Sequence, residues 1–216
     1  DTTSIPSGEW SMHAVVFNSS EGVVVSKVGL GFGPIKTSNL SDTKQLSLYS
    51  EDSSIEGFSV SYDKTKAFAV GENNNKVYQY SVVDYYDVST WTYDNVSVYL
   101  SSYLTNGVIT ADGLKYVFMD NNADKIHQLE LTTPNDLSSN SNSSSINVDT
   151  SYPRGMSFAY DGFELVVLDG NGEIVVHTLS TAYDITTSSG GVSQFRLGDL
   201  GKGFPQSNSG YVGIDI

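Results

Sequence analysis

The sequence predicts an all-β fold assembled from about four copies of one unit. Three observations carry this: an Asp-marked turn that returns every 49 residues, a polar turn that follows each one, and the absence of helical periodicity. The first turn reads Val60-Ser61-Tyr62-Asp63-Lys64-Thr65-Lys66-Ala67-Phe68, then Ile109-Thr110-Ala111-Asp112-Gly113-Leu114-Lys115-Tyr116-Val117, then Phe158-Ala159-Tyr160-Asp161-Gly162-Phe163-Glu164-Leu165-Val166. An Asp-Gly pair between apolar runs is a hairpin signal, because Gly accepts positive φ and the carboxylate caps the turn. The second turn is carried by Gly71-Glu72-Asn73-Asn74-Asn75, Asp120-Asn121-Asn122-Ala123-Asp124 and Asp169-Gly170-Asn171-Gly172, each followed by a strand. A third recurrence places Asp87, Asp136 and Asp184 ahead of Val88, Leu137 and Ile185.

These marks divide the chain into repeats at approximately 6–54, 55–103, 104–152 and 153–203, with an extra closing strand at 211–216. The first copy is degenerate: Pro6-Ser7-Gly8 resembles Pro153-Arg154-Gly155, and its hairpin is expected near Asn18-Ser19-Ser20, about four residues out of register. In the fourth copy the strands are expected at Gly155–Ala159, Phe163–Leu168, Glu173–Leu179 and Val192–Leu197, with Val192, Gln194 and Arg196 on one face of the last. Four strands per unit is the pattern of a β-propeller, whose blades bury both faces by stacking on their neighbours. The alternatives are a β-sandwich, or an arc of a larger ring completed by oligomerisation or by further sequence. One domain is expected for 216 residues.

Composition narrows the partners. Eleven basic against 25 acidic residues give a net charge of −14, which disfavours nucleic acid and anionic membrane. Cysteine is absent, so disulfides, thiolate metal sites and Cys nucleophiles are excluded together. No apolar run reaches 18 residues, and Asp1-Thr2-Thr3-Ser4 reads as neither a signal peptide nor a basic targeting segment. Without an initiator Met, the chain is expected to be processed or part of something longer. Abundant Ser, Thr, Asn, Gly and Tyr lean toward an extracellular or virion-surface protein, and sequons stand at Asn18, Asn39, Asn95 and Asn142.

No catalytic constellation emerges. His177 aligns with Leu129 and Tyr80 while His127 sits two positions earlier in its strand, so with His13 they make no expected metal site. No Gly-x-Ser-x-Gly elbow singles out a nucleophile. Asp63, Asp112, Asp161, Asp87, Asp136 and Asp184 recur with the repeat, which points to turn capping. The segment Asp120 to Asp124 alternates oxygen ligands but lacks the Gly and distal Glu of a calcium loop, leaving calcium a minor expectation and no other cofactor. Gly29-Leu30-Gly31-Phe32-Gly33 reads as a glycine-rich turn rather than a phosphate cradle. Tyr85, Tyr86, Tyr93, Tyr99, Tyr103 and Tyr152 suit blade packing first and ligand stacking second.

The closing element Leu179-Ser180-Thr181-Ala182-Tyr183-Asp184-Ile185-Thr186-Thr187 resembles, nearly residue for residue, the Leu-Ser-Thr-x-Tyr-Asp-Ile-Ser-Thr element of a β-propeller repeat of phage and marine bacterial proteins. The resemblance covers residues 57–190 well and 6–56 poorly, with Lys64-Thr65 and Val82-Val83-Asp84 as departures. It implies a propeller fold and a virion structural or cell-surface setting, and no defined ligand. In that fold the second-to-third-strand turns and the blade connections share one face. That face is expected to display Glu72, Asn73, Asn74, Asp120, Asn121, Asn122, Asp169 and Asn171, with Tyr103, Tyr152 and Arg154 beside them. The expectation is a non-enzymatic binding or assembly module, such as a phage decoration, fibre or tail-associated protein. It would meet other virion or surface proteins or glycans, with homo-oligomerisation open. The alternatives are a secreted or cell-surface adhesion propeller and, behind both, a calcium-dependent propeller hydrolase.

Overall fold

A computed structural model describes residues 11–18, 22–29, 44–100, 103–150, 152–159 and 161–196. Among them, four antiparallel sheets follow one another along the chain. The first holds β1 (Ser11–Asn18), β2 (Gly22–Gly29) and β3 (Lys44–Leu46). The second holds β4 (Ile55–Val60), β5 (Lys66–Gly71), β6 (Lys76–Ser81) and β7 (Thr92–Tyr99). The third holds β8 (Leu104–Ile109), β9 (Lys115–Asp120), β10 (Lys125–Leu131) and β11 (Asn140–Asn147). The fourth holds β12 (Pro153–Phe158), β13 (Glu164–Asp169), β14 (Glu173–Leu179) and β15 (Ser188–Arg196). Within each sheet the strands pair in chain order. No helix among the described residues is long and apolar enough to cross a membrane.

Strand alternation explains why the sheets stack. Along β5, Ala67 and Ala69 join a core with Leu48, Tyr80, Val88 and Trp91, whereas Phe68 and Val70 join one with Leu104, Tyr116, Phe118 and Leu137. Along β9 the same division repeats: Tyr116 and Phe118 face the second sheet, and Val117 and Met119 share a core with Met156, Phe158, Leu165 and Ile185 of the fourth. Each core is therefore a seam between two sheets. At the inner edge β4 packs on β8 and β8 on β12. At the outer edge β3, β7 and β11 pack on the 3-10 turns Val88–Thr90, Leu137–Ser139 and Ile185–Thr187 of the following sheet. Equivalent seams at both edges describe a β-propeller with about four blades and exclude two sheets packed face to face.

A polar device crosses two of these seams. Lys66 Nζ donates to Asp94 Oδ2 (2.7 Å), Gln79 Nε2 donates to the same oxygen (2.8 Å), and the amide of Leu137 donates to Gln79 Oε1 (2.8 Å). One blade later Lys115 Nζ donates to Glu130 Oε2 (2.9 Å), Gln128 Nε2 to Glu130 Oε1 (2.6 Å), and the amide of Ile185 to Gln128 Oε1 (3.0 Å). The ion pair orients a buried glutamine, and the glutamine satisfies the first amide of the next blade's 3-10 turn. In the fourth blade the same register positions hold Glu164, Val176 and Thr178.

Two expectations need correction. In the first sheet, Asn18 pairs with Gly22 and β2 goes on to pair with β3, which packs on the next blade as β7 and β11 do. The hairpin near Asn18 therefore joins second to third strand, and is the counterpart of the polar turn rather than of the Asp-marked one. In the fourth sheet β15 begins at Ser188, directly after the 3-10 turn, and its ladder slips by one residue between Ser193 and Phe195, so the strict alternation expected there is broken. Residues 1–10 and 197–216, with the expected closing strand at 211–216, lie outside the described residues.

Candidate functional site

Antiparallel connectivity sends the Asp-marked hairpins and 3-10 turns to one end of the second, third and fourth sheets. The polar turns and blade connections go to the other. At the hairpin end every recurrent carboxylate is occupied. Asp63 Oδ1 accepts from Ser61 Oγ (2.6 Å) and the Thr65 amide (3.1 Å), Asp112 Oδ1 from Thr110 Oγ1 (2.6 Å) and the Leu114 amide (3.0 Å), and Asp161 Oδ1 from the Phe163 amide (3.1 Å). Asp87, Asp136 and Asp184 cap the 3-10 turns by accepting from the amides of Ser89, Ser138 and Thr186. Burial pushes Asp63 and Asp184 upward, but the hydrogen bonds they accept outweigh it and hold both carboxyls below their usual range. Lys64 takes the left-handed conformation (φ 60°) that Gly113 and Gly162 supply in the next two copies, with its ammonium 4.9 Å from the Tyr85 ring centroid.

The opposite mouth divides the residues expected there into two sets. Asp120, Asn121 and Asp169 are buried rather than displayed. Asp120 Oδ1 accepts from the amides of Asn122 (2.9 Å) and Ala123 (3.0 Å), so this carboxylate serves its own turn. Asp169 Oδ1 accepts from the amides of Asn171 (2.8 Å) and Glu173 (2.7 Å), and its Oδ2 from Thr150 Oγ1 (2.9 Å). The second blade has Gly71 at this register, and the carboxylate arrives instead from Asp52, which accepts from the amides of Ser54 and Asn74, both at 2.9 Å. A Cβ on Gly71 would run into that carboxylate. Sequence reading missed Asp52, whose signal is its position two repeats before Thr150.

What remains at the surface differs from blade to blade. Asn73, Asn74, Asn122, Asn171, Tyr103 and Tyr152 are exposed, while Glu72 and Arg154 are half-buried. Tyr103 (φ 60°) and Tyr152 (φ 59°) hold left-handed backbone, which non-glycine residues adopt at a cost. Their carbonyls accept from the amides of Asn121 (3.1 Å) and Gly170 (2.9 Å), which fixes the blade connections to the neighbouring turns. The two residues are 45% and 63% exposed. By contrast Tyr93 packs against Tyr78 and Tyr80, as the packing expectation has it for that residue. The innermost strands open at the mouth with equivalent bulges, at which the ladder steps over Glu56, Thr105 and Arg154 in turn. Thr105 Oγ1 donates to the Pro153 carbonyl (3.2 Å), which joins the inner strands of two blades there.

The two described histidine side chains do not meet. His127 stacks on Phe118 (centroids 4.9 Å apart, planes 7°), and burial holds it below its ordinary pKa against the pull of Asp120. His177 pairs with Leu165 at the register where Leu129 pairs with Tyr116 and Tyr80 with Ala67. Its Nε2 lies 3.2 Å from the Val148 carbonyl and its Nδ1 3.2 Å from Ser188 Oγ. A carbonyl only accepts, so Nε2 carries the proton and Nδ1 accepts from the serine. Among the described residues, no group of three or more His, Asp and Glu stands where it would hold a metal ion.

No protein-family profile matches the sequence, and no curated protein does. Solved structures do. The hydrazine synthase of Kuenenia stuttgartiensis matches 66% of this chain and 36% of its own at 13% identity, with a TM-score of 0.50. Hsv2 of Kluyveromyces lactis matches over 65% of this chain and 36% of its own at 9% identity and TM-score 0.43. The WD40 repeats of RRP9 match over 64% and 38% at 14% identity and TM-score 0.45. The chain thus spans a little over a third of the length of these structures, and at such identities the likeness is one of fold.

Proposed function

We propose that the chain is a non-enzymatic binding and assembly module, and that its mouth, not its hairpin end, is the surface that meets the partner. The observation that carries this reading is the pair Tyr103 and Tyr152. Both rings stand in solvent on a costly left-handed backbone, and neither phenol has a hydrogen-bond or ring partner among the described residues. The backbone at these positions serves the blade connections, but the exposed rings it carries serve no contact among the described residues, which leaves them for a partner. Flat amphipathic rings amid the amide-rich turns at Asn73, Asn74, Asn122 and Asn171 suit a glycan. The setting we propose is a phage virion, as a decoration, fibre or tail-associated protein. It is supported by the resemblance of residues 179–187 to a phage and marine bacterial propeller repeat and by a cysteine-free, Ser-, Asn- and Tyr-rich composition.

Amide NMR titration of the purified chain with a panel of neutral and acid-terminated oligosaccharides tests the mouth. The expected shifts fall on Tyr103, Asn122, Tyr152 and Asn171 and vanish in Tyr103→Ala and Tyr152→Ala. Shifts confined to Tyr62, Asp112 and Phe163 would overturn the assignment. Co-expression with the neighbouring structural proteins tests the setting: recovery in assembled particles is expected, and recovery only in the medium or cell wall contradicts it.

A further inference from the structure

Resting on the mouth as the binding surface, we infer that its ligand is a saccharide bearing a single carboxylate, received by Arg154. Arg154 is the one arginine whose side chain is described, half-buried at the bulge that opens β12. The chain holds 25 acidic residues, yet among the described ones Arg154 has no hydrogen bond, ion pair or ring contact. A guanidinium with no acidic partner among the described residues presents a planar fork of donors that matches a carboxylate.

The surroundings agree with a sugar as the bearer of that carboxylate. A Cβ placed on Gly170 would lie 3.6 Å from both Arg154 Nε and the Tyr152 carbonyl, so the arginine stem and the Tyr152 backbone flank this bare glycine. Asn171 follows directly in the same turn, exposed, with its side-chain amide donating to Asp169 Oδ2 (3.4 Å). One blade back, the Thr105 hydroxyl reaches the Pro153 carbonyl, and the Asn121 amide reaches the Tyr103 carbonyl. Asn121 is only 9% exposed and its Oδ1 is buried, so this side chain backs the mouth rather than facing a ligand. The equivalent bulge positions hold Glu56 and Thr105, so among the three described bulges the cationic character belongs to one. A net charge of −14 repels polyanions, which selects a ligand with one carboxylate over a polyacidic chain.

Calorimetric titration with a disaccharide ending in glucuronic acid and with its neutral glucose-ended counterpart tests this. The intact chain is expected to prefer the acidic sugar by about tenfold or more. Arg154→Gln should abolish the preference, and Arg154→Lys should restore part of it, with unfolding midpoints of both variants matching the parent. Equal affinity for the two sugars, or a preference that survives in Arg154→Gln, overturns the inference. A short peptide ending in aspartate that outcompetes the acidic sugar also overturns it, in favour of a protein partner. If the neutral panel still shifts Tyr103 and Tyr152 while the acidic sugar gains nothing, the mouth stands as the binding surface and only the carboxylate falls. If no saccharide or peptide moves any mouth residue, both readings fall.

Discussion

The two ends of the propeller obey different rules. At the hairpin end, position for position, the second, third and fourth blades repeat: an aspartate caps each first turn, another caps each 3-10 turn, and the residue after it is fully buried in the seam as Val88, Leu137 or Ile185. At the mouth the same ruler finds Ser54, Tyr103 and Tyr152 in the connections and Glu56, Thr105 and Arg154 at the bulges. A buried residue that every blade needs for packing must recur, so recurrence within the seams marks structure, whereas Tyr103 and Tyr152 recur in two connections without being buried. Divergence at an exposed equivalent position is where selection for a ligand has room to act.

The largest expected effect comes from breaking a repeated position. Leu137→Ala removes a fully buried side chain from the seam between second and third blades and should cost about 3 kcal/mol. Tyr152→Ala, tested beside it in urea unfolding, should stay within about 0.5 kcal/mol of the parent; equal losses would erase the distinction between the ends. The next effect concerns the glutamine bridge. Gln79→Leu leaves the Leu137 amide buried without its acceptor and should cost about 2 kcal/mol. Hydrogen exchange should quicken at Leu137 while Ile185, held by Gln128, keeps its protection; loss at both amides would mean the seams are not independent.

A smaller effect is pH-dependent. Burial holds His177 below its ordinary pKa, so between about pH 6.5 and that depressed value the unfolded chain takes up a proton that the folded chain refuses. Its contribution to stability is whole above the unfolded pKa and declines as the pH falls. His177→Leu, with the residue that Leu129 supplies one blade earlier, should flatten the decline in stability below about pH 6.5; an unchanged slope would assign the decline elsewhere. Asp63, Asp94 and Asp184, all held below the usual carboxylate range, add a second loss only below about pH 4.

Much of the fold was legible because the turns are short and chemically particular. Asp112-Gly113 and Asp161-Gly162 announce hairpins, and a repeated Asp-φ-Ser/Thr marks each 3-10 turn. What stayed hidden was exchange between distant positions. Asp52 serves the turn after Gly71, and nothing local in either segment says so. Gln79 and Gln128 stand 49 residues apart, yet a polar residue within a strand reads as solvent-facing until a neighbouring blade covers it. The burial of Asp120, Asn121 and Asp169 was missed for the same reason: polar turns read as display surfaces, whereas here the first residues are consumed in building the turn. The β15 slip has no composition signal, since Val192 to Arg196 alternates well on paper.

The direct test of functional strain at the mouth is Tyr152→Gly, measured for both unfolding and saccharide binding, with Lys64→Gly as the control at a left-handed position of the hairpin end. Glycine relieves the left-handed backbone at both sites. The account predicts that both variants keep or raise the unfolding midpoint, by up to about 1 kcal/mol, and that only Tyr152→Gly loses binding. A Tyr152→Gly protein that is destabilised by more than about 1 kcal/mol while still binding its sugar would contradict it.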